Sequence, residues 1–135
     1  MNLRLRLCFL LLFTSSFCAL AQRSSLDAAA IKQGLESLHI SARVLYLAAH
    51  PDDENTRLLT YLAKEKKVRA AYLSLTRGDG GQNLIGTAQA DLLGLLRTRE
   101  LLAARAIDGA EQFFTRANDY GFSKNPEEAF NMWDR

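Results

Sequence analysis

The sequence predicts an α/β domain built on a parallel sheet, and two observations support that prediction. Apolar runs that suit strands alternate with helical patterns in the order strand, helix, strand, helix, strand. The connections between them are short, which favours parallel β-α-β units with right-handed crossovers. A length of 135 residues suits one domain, and 48% hydrophobic with 24% charged residues is typical of a globular chain.

The first strand is predicted at residues 43–49, where RVLYLAA is a nearly continuous apolar run. Such a run is expected of a parallel strand that is buried on both faces. A short helix is predicted before it, at residues 24–38, from apolar residues near helical spacing. Residues 54–66 predict an amphipathic helix with lysines in its last turn. Its apolar stripe consists of Leu58, Leu59, Leu62 and Ala63.

The same alternation continues beyond this helix. VRAAYLSL at residues 68–75 predicts the second strand, and the loop TRGDGGQN follows it. Residues 88–107 predict a long helix, residues 110–114 predict a third strand, and Asn125-Pro126 is typical of a helix start. One side of the long helix carries Leu92, Leu96, Ala103 and Ile107. A three-stranded sheet is small for this architecture, so we expect the chain to be the amino-terminal part of a longer domain.

The first 21 residues match a secretory signal peptide. A basic start and an apolar stretch precede Ala19-Leu20-Ala21, a small-x-small cleavage site. A membrane anchor is the alternative, but the apolar run is shorter than the roughly 20 residues that a span needs. Phe17 fits a lipidated Cys18 poorly. We therefore expect cleavage before Gln22, a mature domain at residues 22–135, and a periplasmic or extracellular location.

Removal of this leader changes what the composition implies. Both cysteines, Cys8 and Cys18, leave with it, so the mature chain is expected to offer no disulfide and no thiolate ligand. Of the 17 basic residues, Arg4 and Arg6 also leave, and the remaining 15 balance the 15 acidic residues. A neutral domain gives no reason to expect nucleic acid or a membrane surface as a partner. The oligomeric state stays open.

A histidine and three acids follow the first predicted strand, in the sequence HPDDE. One interpretation is structural: proline followed by acids suits the first turn of a helix, and His50 is only a strand-end residue. The other is chemical, because His50 and Asp53 are three residues apart and can face a common centre. Imidazole and carboxylate suit zinc. Asp52, which points elsewhere, is then free to act as a base toward metal-bound water.

A catalytic zinc usually has three protein ligands, and only this pair can be identified in the sequence. The other histidine, His39, precedes the first strand and is expected near the opposite end of the sheet.

The loop TRGDGGQN is expected beside His50, because the carboxyl ends of neighbouring parallel strands share one edge. It lacks the last glycine of a dinucleotide fingerprint and the Gly-Lys of a P-loop. A flexible turn is one interpretation. The other is a binding loop, whose glycines let the backbone approach a ligand. Its candidate polar contacts to a ligand are Asp79, Gln82 and Asn83, with Arg77 as a further binding candidate.

Two features farther along the chain have structural and functional interpretations. Arg97 and Glu100 suit a surface ion pair on the long helix, while Arg99 and Arg105 are expected to be solvated. The aromatic residues Tyr120, Phe130 and Trp133 suit either core packing or stacking on a sugar.

Three segments resemble, in register, the PIG-L/LmbE-like zinc-dependent N-deacetylases: AAHPDDE, LTRGDGGQN and LRTRELLAARAIDGAEQF, within about residues 43–114. The resemblance implies a Rossmann-like three-layer α/β fold, truncated here after about three strands. It implies zinc, or another divalent ion, on His50 and Asp53, with Asp52 as general base. It places Asp79 and Arg97 in the substrate pocket. It also implies a third ligand from a later His-x-x-His segment, which this sequence lacks.

The activity that this resemblance implies is removal of an N-acetyl group from an amino sugar or glycoconjugate, with Asp52 activating the metal-bound water. One alternative is a non-catalytic carbohydrate-binding module of the same fold that lacks the third ligand. A His-x-x-His segment after residue 135 would discriminate between the two. A phosphoesterase is a further alternative, but it is disfavoured because the glycine loop has no phosphate clamp apart from Arg77.

Overall fold

The computed structural model describes residues 26–133. The predicted signal peptide lies outside these residues. The chain divides into two compact units, Met1–Lys32 and Gln33–Arg135, and the second contains the whole sheet. Within the described residues, no helix is both long and apolar enough to cross a membrane.

Helices and strands alternate as the sequence predicts, with boundaries that differ by a few residues. In chain order they are α1 (Ala28–Ser37), β1 (Arg43–Ala48), α2 (Thr56–Thr60), a π-helix (Tyr61–Glu65), β2 (Arg69–Ser74), α3 (Ala90–Asp108), β3 (Glu111–Phe114) and α4 (Pro126–Phe130).

The three strands form one parallel sheet in the order β1-β2-β3. At the carboxyl edge Ala48 pairs with Ser74, and Ser74 pairs with Phe114. The predicted α/β class and parallel sheet are confirmed. Because all three strands run the same way, the segments that follow them meet at one edge, where ligands bind in open parallel sheets.

The core lies on the face of the sheet that carries Tyr72 and Ala70. Leu59 of α2, Ala63 of the π-helix and Leu101 of α3 pack against this face and are buried. The Tyr46 ring meets the Tyr72 ring edge to face, with centroids 5.8 Å apart. Burial of these apolar groups is the main stabilising contribution to such a fold.

The other face of the sheet is open, which corrects the prediction that β1 is buried on both faces. Leu45 and Leu47 of β1 are each 57% exposed, and Phe113 of β3 is 48% exposed. An apolar strand indicates that both faces can be buried, but it does not show what covers them.

The side of helix α3 that faces the core is not the side that carries Leu92, Leu96, Ala103 and Ile107. Leu92 and Ile107 are exposed, whereas Leu93, Leu101 and even Arg105 are buried. A charged residue can take a core position when other charged groups meet it there.

Helix α2 begins later than predicted and has its own cap. The Asn55 side chain accepts a hydrogen bond from the Leu58 N–H at 3.0 Å, and the first turn contains no acid. The acids of HPDDE therefore lie before the helix, and the interpretation of this motif as a helix start is wrong. Helix α4 does begin as predicted, since Asn125 caps it and Pro126 opens it.

Candidate metal and catalytic site

The turn after β1 brings His50 and Asp53 together. The His50 N–H donates to Asp53 Oδ2 at 2.8 Å, and the Asp53 N–H donates to the His50 carbonyl at 3.3 Å. The Tyr72 hydroxyl donates to the same carbonyl from below. These bonds hold the backbone of the turn on the sheet edge and place the imidazole Nδ1 at 3.3 Å from Asp53 Oδ2.

The spacing of this pair fits two positions of a tetrahedral zinc. Ligand bonds of about 2.0–2.1 Å at a tetrahedral angle separate two donors by about 3.3–3.4 Å, and the observed Nδ1–Oδ2 separation is 3.3 Å. Both side chains are accessible, at 46% and 43% exposure. Residues 26–133 contain no group of three His, Cys, Asp or Glu side chains that could hold a metal ion. Among the described residues the pair therefore offers two possible metal donors and no third in the same group.

Asp52 has a different environment from its neighbour Asp53. Its side chain is 66% exposed, and its Oδ2 lies 3.7 Å from Nη2 of Arg97 on α3. Arg97 also lies 3.8 Å from Glu100 through Nη1, so the predicted helix pair is present as well. An accessible carboxylate next to the His50–Asp53 pair, with a guanidinium on one side, suits a base toward water.

Glu54 is buried, and its partner corrects the prediction that Arg105 is solvated. Arg105 Nη2 lies 3.3 Å from Glu54 Oε1 and 2.6 Å from Asp108 Oδ2, and all three side chains are at most 6% exposed. The guanidinium also donates to Gln112 Oε1 and lies over the Tyr72 ring at 5.7 Å. Glu54 Oε2 has no hydrogen-bond partner. The last acid of HPDDE therefore fixes the turn to α3.

Tyr72 connects this buried cluster to the turn. Burial, with smaller contributions from the Glu54, Asp53 and Asp52 carboxylates, raises the pKa of the Tyr72 hydroxyl to about 12. The hydroxyl therefore keeps its proton and remains a donor to the His50 carbonyl.

The glycine loop lies beside the HPDDE turn, as the parallel sheet predicts. A Cβ at Gly78 would come within 3.1 Å of the Pro51 ring, so the two loops pack closely. Thr76, at the start of the loop, donates from its hydroxyl to the Ala49 carbonyl at 3.1 Å.

The predicted substrate-binding residues do not share one pocket. Arg77 and Asp79 line a cavity of about 480 Å³ beside α3. Gln82, Asn83 and Arg97 line another, of about 470 Å³. Arg97 of this set contacts the HPDDE turn, through Asp52.

Two of these residues already have structural partners. Asn83 Oδ1 accepts from the Ile85 and Gly86 N–H groups at 3.1 and 3.0 Å, which shapes its own loop. The Arg77 guanidinium donates to Thr98 and lies 4.4 Å from the Phe114 ring centroid. These contacts depend on the fold and could not be predicted from the sequence, and a binding role for either residue stays a prediction.

A third cavity, of about 400 Å³, opens next to His50 and brings in a residue that the sequence did not indicate. Asp119 is only 3% exposed, and its Oδ1 lies 4.0 Å from His50 Nε2. Tyr120 and Trp133 form another part of the lining, with ring centroids 5.4 Å apart. Asp119 belongs to no motif considered above, and only the position of the segment after β3 could have drawn attention to it.

Comparisons with known proteins identify the family and the fold. The family model described as PIG-L, GlcNAc-PI de-N-acetylase, matches residues 45–134. A solved structure of GalB, the 4-carboxy-2-hydroxymuconate hydratase from Pseudomonas putida KT2440, matches with a TM-score of 0.53 and 22% identity. That match covers 67% of this chain and 40% of the GalB chain. At this identity it shows the fold alone. No curated protein matches significantly.

Proposed function

Because the chain belongs to the PIG-L family, we propose that it forms part of a zinc-dependent hydrolase that removes an N-acetyl group from an amino sugar or glycoconjugate. The observation that supports this most directly is the His50–Asp53 pair, whose donors are 3.3 Å apart beside the accessible Asp52. We further propose that the protein acts after export, in the periplasm or outside the cell.

His50 Nδ1 and one Asp53 oxygen would hold the metal, which when bound supplies a Lewis acid for the acetamide carbonyl and for water. Asp52 would take the proton from the attacking water, and Arg97 would keep the Asp52 carboxylate directed toward it. The hydrogen bonds from the His50 N–H to the Asp53 carboxylate and from the Asp53 N–H to the His50 carbonyl would set the spacing of the two ligands.

The proposed site needs at least one more donor than the described residues supply. The chain spans only 40% of the GalB structure that it matches. We propose that a further histidine, from a His-x-x-His segment in a longer form of the protein, provides the third ligand. The cavity beside His50, with Tyr120 and Trp133 in its lining, offers room for a sugar ring.

Acetate release from N-acetylglucosamine conjugates, measured with the zinc-loaded protein purified from its native host, tests this function. We expect Asp52→Asn to lower kcat by about 100-fold or more, as loss of a general base does, without loss of zinc. His50→Ala should lose the zinc itself. The matched control is Glu65→Gln, an exposed glutamate at the end of the π-helix.

Full activity of Asp52→Asn would disprove the role of Asp52 as base. A zinc-loaded wild-type protein that binds the conjugates but releases no acetate would support a carbohydrate-binding module in place of an enzyme.

A further inference from the structure

Asp119 is a buried carboxylate held rigidly beside His50. Its Oδ1 accepts from the Gly121 N–H at 2.8 Å. Its Oδ2 lies 3.3 Å from the Thr76 hydroxyl, whose one proton is shared with the Ala49 carbonyl at 3.1 Å. The glycine loop supports the same segment, since a Cβ at Gly80 would lie 2.5 Å from the Asp119 carbonyl oxygen. The Asp119 side chain is 97% buried at the sheet edge. Because burial of a carboxylate is costly, its position here calls for an explanation.

The two carboxylates near His50 lie on opposite sides of its ring. Asp53 Oδ2 is 3.3 Å from Nδ1, and Asp119 Oδ1 is 4.0 Å from Nε2. The two ring nitrogens point away from each other, so Asp53 and Asp119 cannot ligate the same ion together with this imidazole. Asp119 is therefore not the missing third ligand.

We propose that Asp119 is a positioning residue for His50. It attracts the Nε2–H, favours the tautomer with a free Nδ1 lone pair, and so directs Nδ1 and Asp53 toward the same ion. This inference rests on the metal site of the proposed function. Histidine ligands commonly donate their second N–H to a carboxylate, which fixes the tautomer and orientation of the ring.

The proposal requires zinc binding to shorten the distance between His50 Nε2 and Asp119 Oδ1. At 4.0 Å the contact between Nε2 and Asp119 is electrostatic and too long for a hydrogen bond. His50 is 46% exposed and free to tilt, whereas Asp119 is held by Thr76 and Gly121. Closure to a hydrogen bond therefore comes from the imidazole.

Nitrogen-15 NMR of the histidine rings in the zinc-loaded full chain tests the proposal. Residues 1–135 contain two histidines, and the signals that disappear in His50→Gln but remain in His39→Gln are assigned to His50. We expect zinc on Nδ1 and a proton on Nε2. We also expect Asp119→Asn to weaken zinc binding by about 10- to 100-fold, the usual cost of losing such a support, and to shift the Nε2–H signal.

The control Asp91→Asn removes the same charge at an exposed position and should leave zinc affinity unchanged. Thr76→Val keeps the Asp119 carboxylate but removes its hydroxyl partner, and should weaken zinc binding less than Asp119→Asn does. Zinc on Nε2 in the wild type, no zinc binding, or equal affinity in Asp119→Asn and the wild type would overturn the proposal.

The ring nitrogen that binds zinc is determined in the wild-type protein. The proposal can therefore be refuted even if Asp119→Asn misfolds. Acetate release with zinc on Nε2 would leave the proposed function standing and refute the role of Asp119. Zinc on Nδ1 without acetate release would support the role of Asp119 and refute the proposed function.

Discussion

Two groups of charged residues flank the turn after β1 and differ in their burial and in their partners. On the outer side, Asp52 and Asp53 are exposed by 66% and 43%. On the inner side, Glu54 is 6% exposed and meets Arg105 and Asp108 in the core. The three acids are consecutive in sequence, so their environments are set by the turn and not by their chemistry. The outer acids are available to a ligand, and the inner one holds the turn in place.

The inner cluster also explains how a charged residue can occupy a core position in this small domain. Arg105 pairs with two carboxylates and one amide, and its flat guanidinium lies over the Tyr72 ring. Arginine suits this position because its donors form a rigid fork and its face can stack on an aromatic ring. Each partner depends on the others, so removal of one leaves buried charge unpaired.

The largest effect is expected from removal of this arginine. Arg105→Ala should lower the free energy of unfolding by about 3–5 kcal/mol, because Glu54 and Asp108 would remain buried without a cation. Arg99→Ala, an exposed arginine on the same helix, is the control and should change stability by less than about 0.5 kcal/mol. Urea unfolding followed by circular dichroism measures both. Equal effects would show that the cluster does not support the fold.

An intermediate effect is expected at Tyr72, which lies between the two groups. Its pKa is about 12 in the folded chain and about 10 when unfolded. Between these values the folded state holds the extra proton, so stability falls as pH rises, by about 2–3 kcal/mol in total. Tyr72→Phe should lose this part of the decline. Unfolding free energies from pH 8 to 12 test it, and identical slopes in both proteins would contradict it.

The smallest effect on stability is expected at the outer group. Asp52→Asn should change the free energy of unfolding by less than about 0.5 kcal/mol, because the carboxylate is 66% exposed and lies 3.7 Å from Arg97. The same urea titration measures it. A loss comparable with that of Arg105→Ala would mean that Asp52 supports the turn, and the contrast between outer and inner acids would disappear.

The sequence predicted the order of elements, the parallel sheet and the pairing of His50 with Asp53, because these depend on local patterns and short spacing. It missed the burial of Arg105, since nothing local shows that Glu54 and Gln112 converge on that helix position. It also missed Asp119, which reaches His50 only after two crossovers. The predicted pocket residues Asp79, Gln82 and Asn83 lie on the expected loop. Asp79, however, lines one cavity, whereas Gln82 and Asn83 line another.

The carboxyl edge of the sheet is assembled from segments far apart in the chain. Thr76 bonds to Ala49, 27 residues earlier, and to Asp119, 43 residues later. Both loops must close before the edge exists, and the unfolded chain keeps only the short HPDDE stretch together. A ligand that uses the whole edge therefore binds the native state alone. Its binding then raises the free energy of unfolding by RT ln(1 + L/Kd), where L is the ligand concentration, which links occupancy of the site to the population of the folded protein.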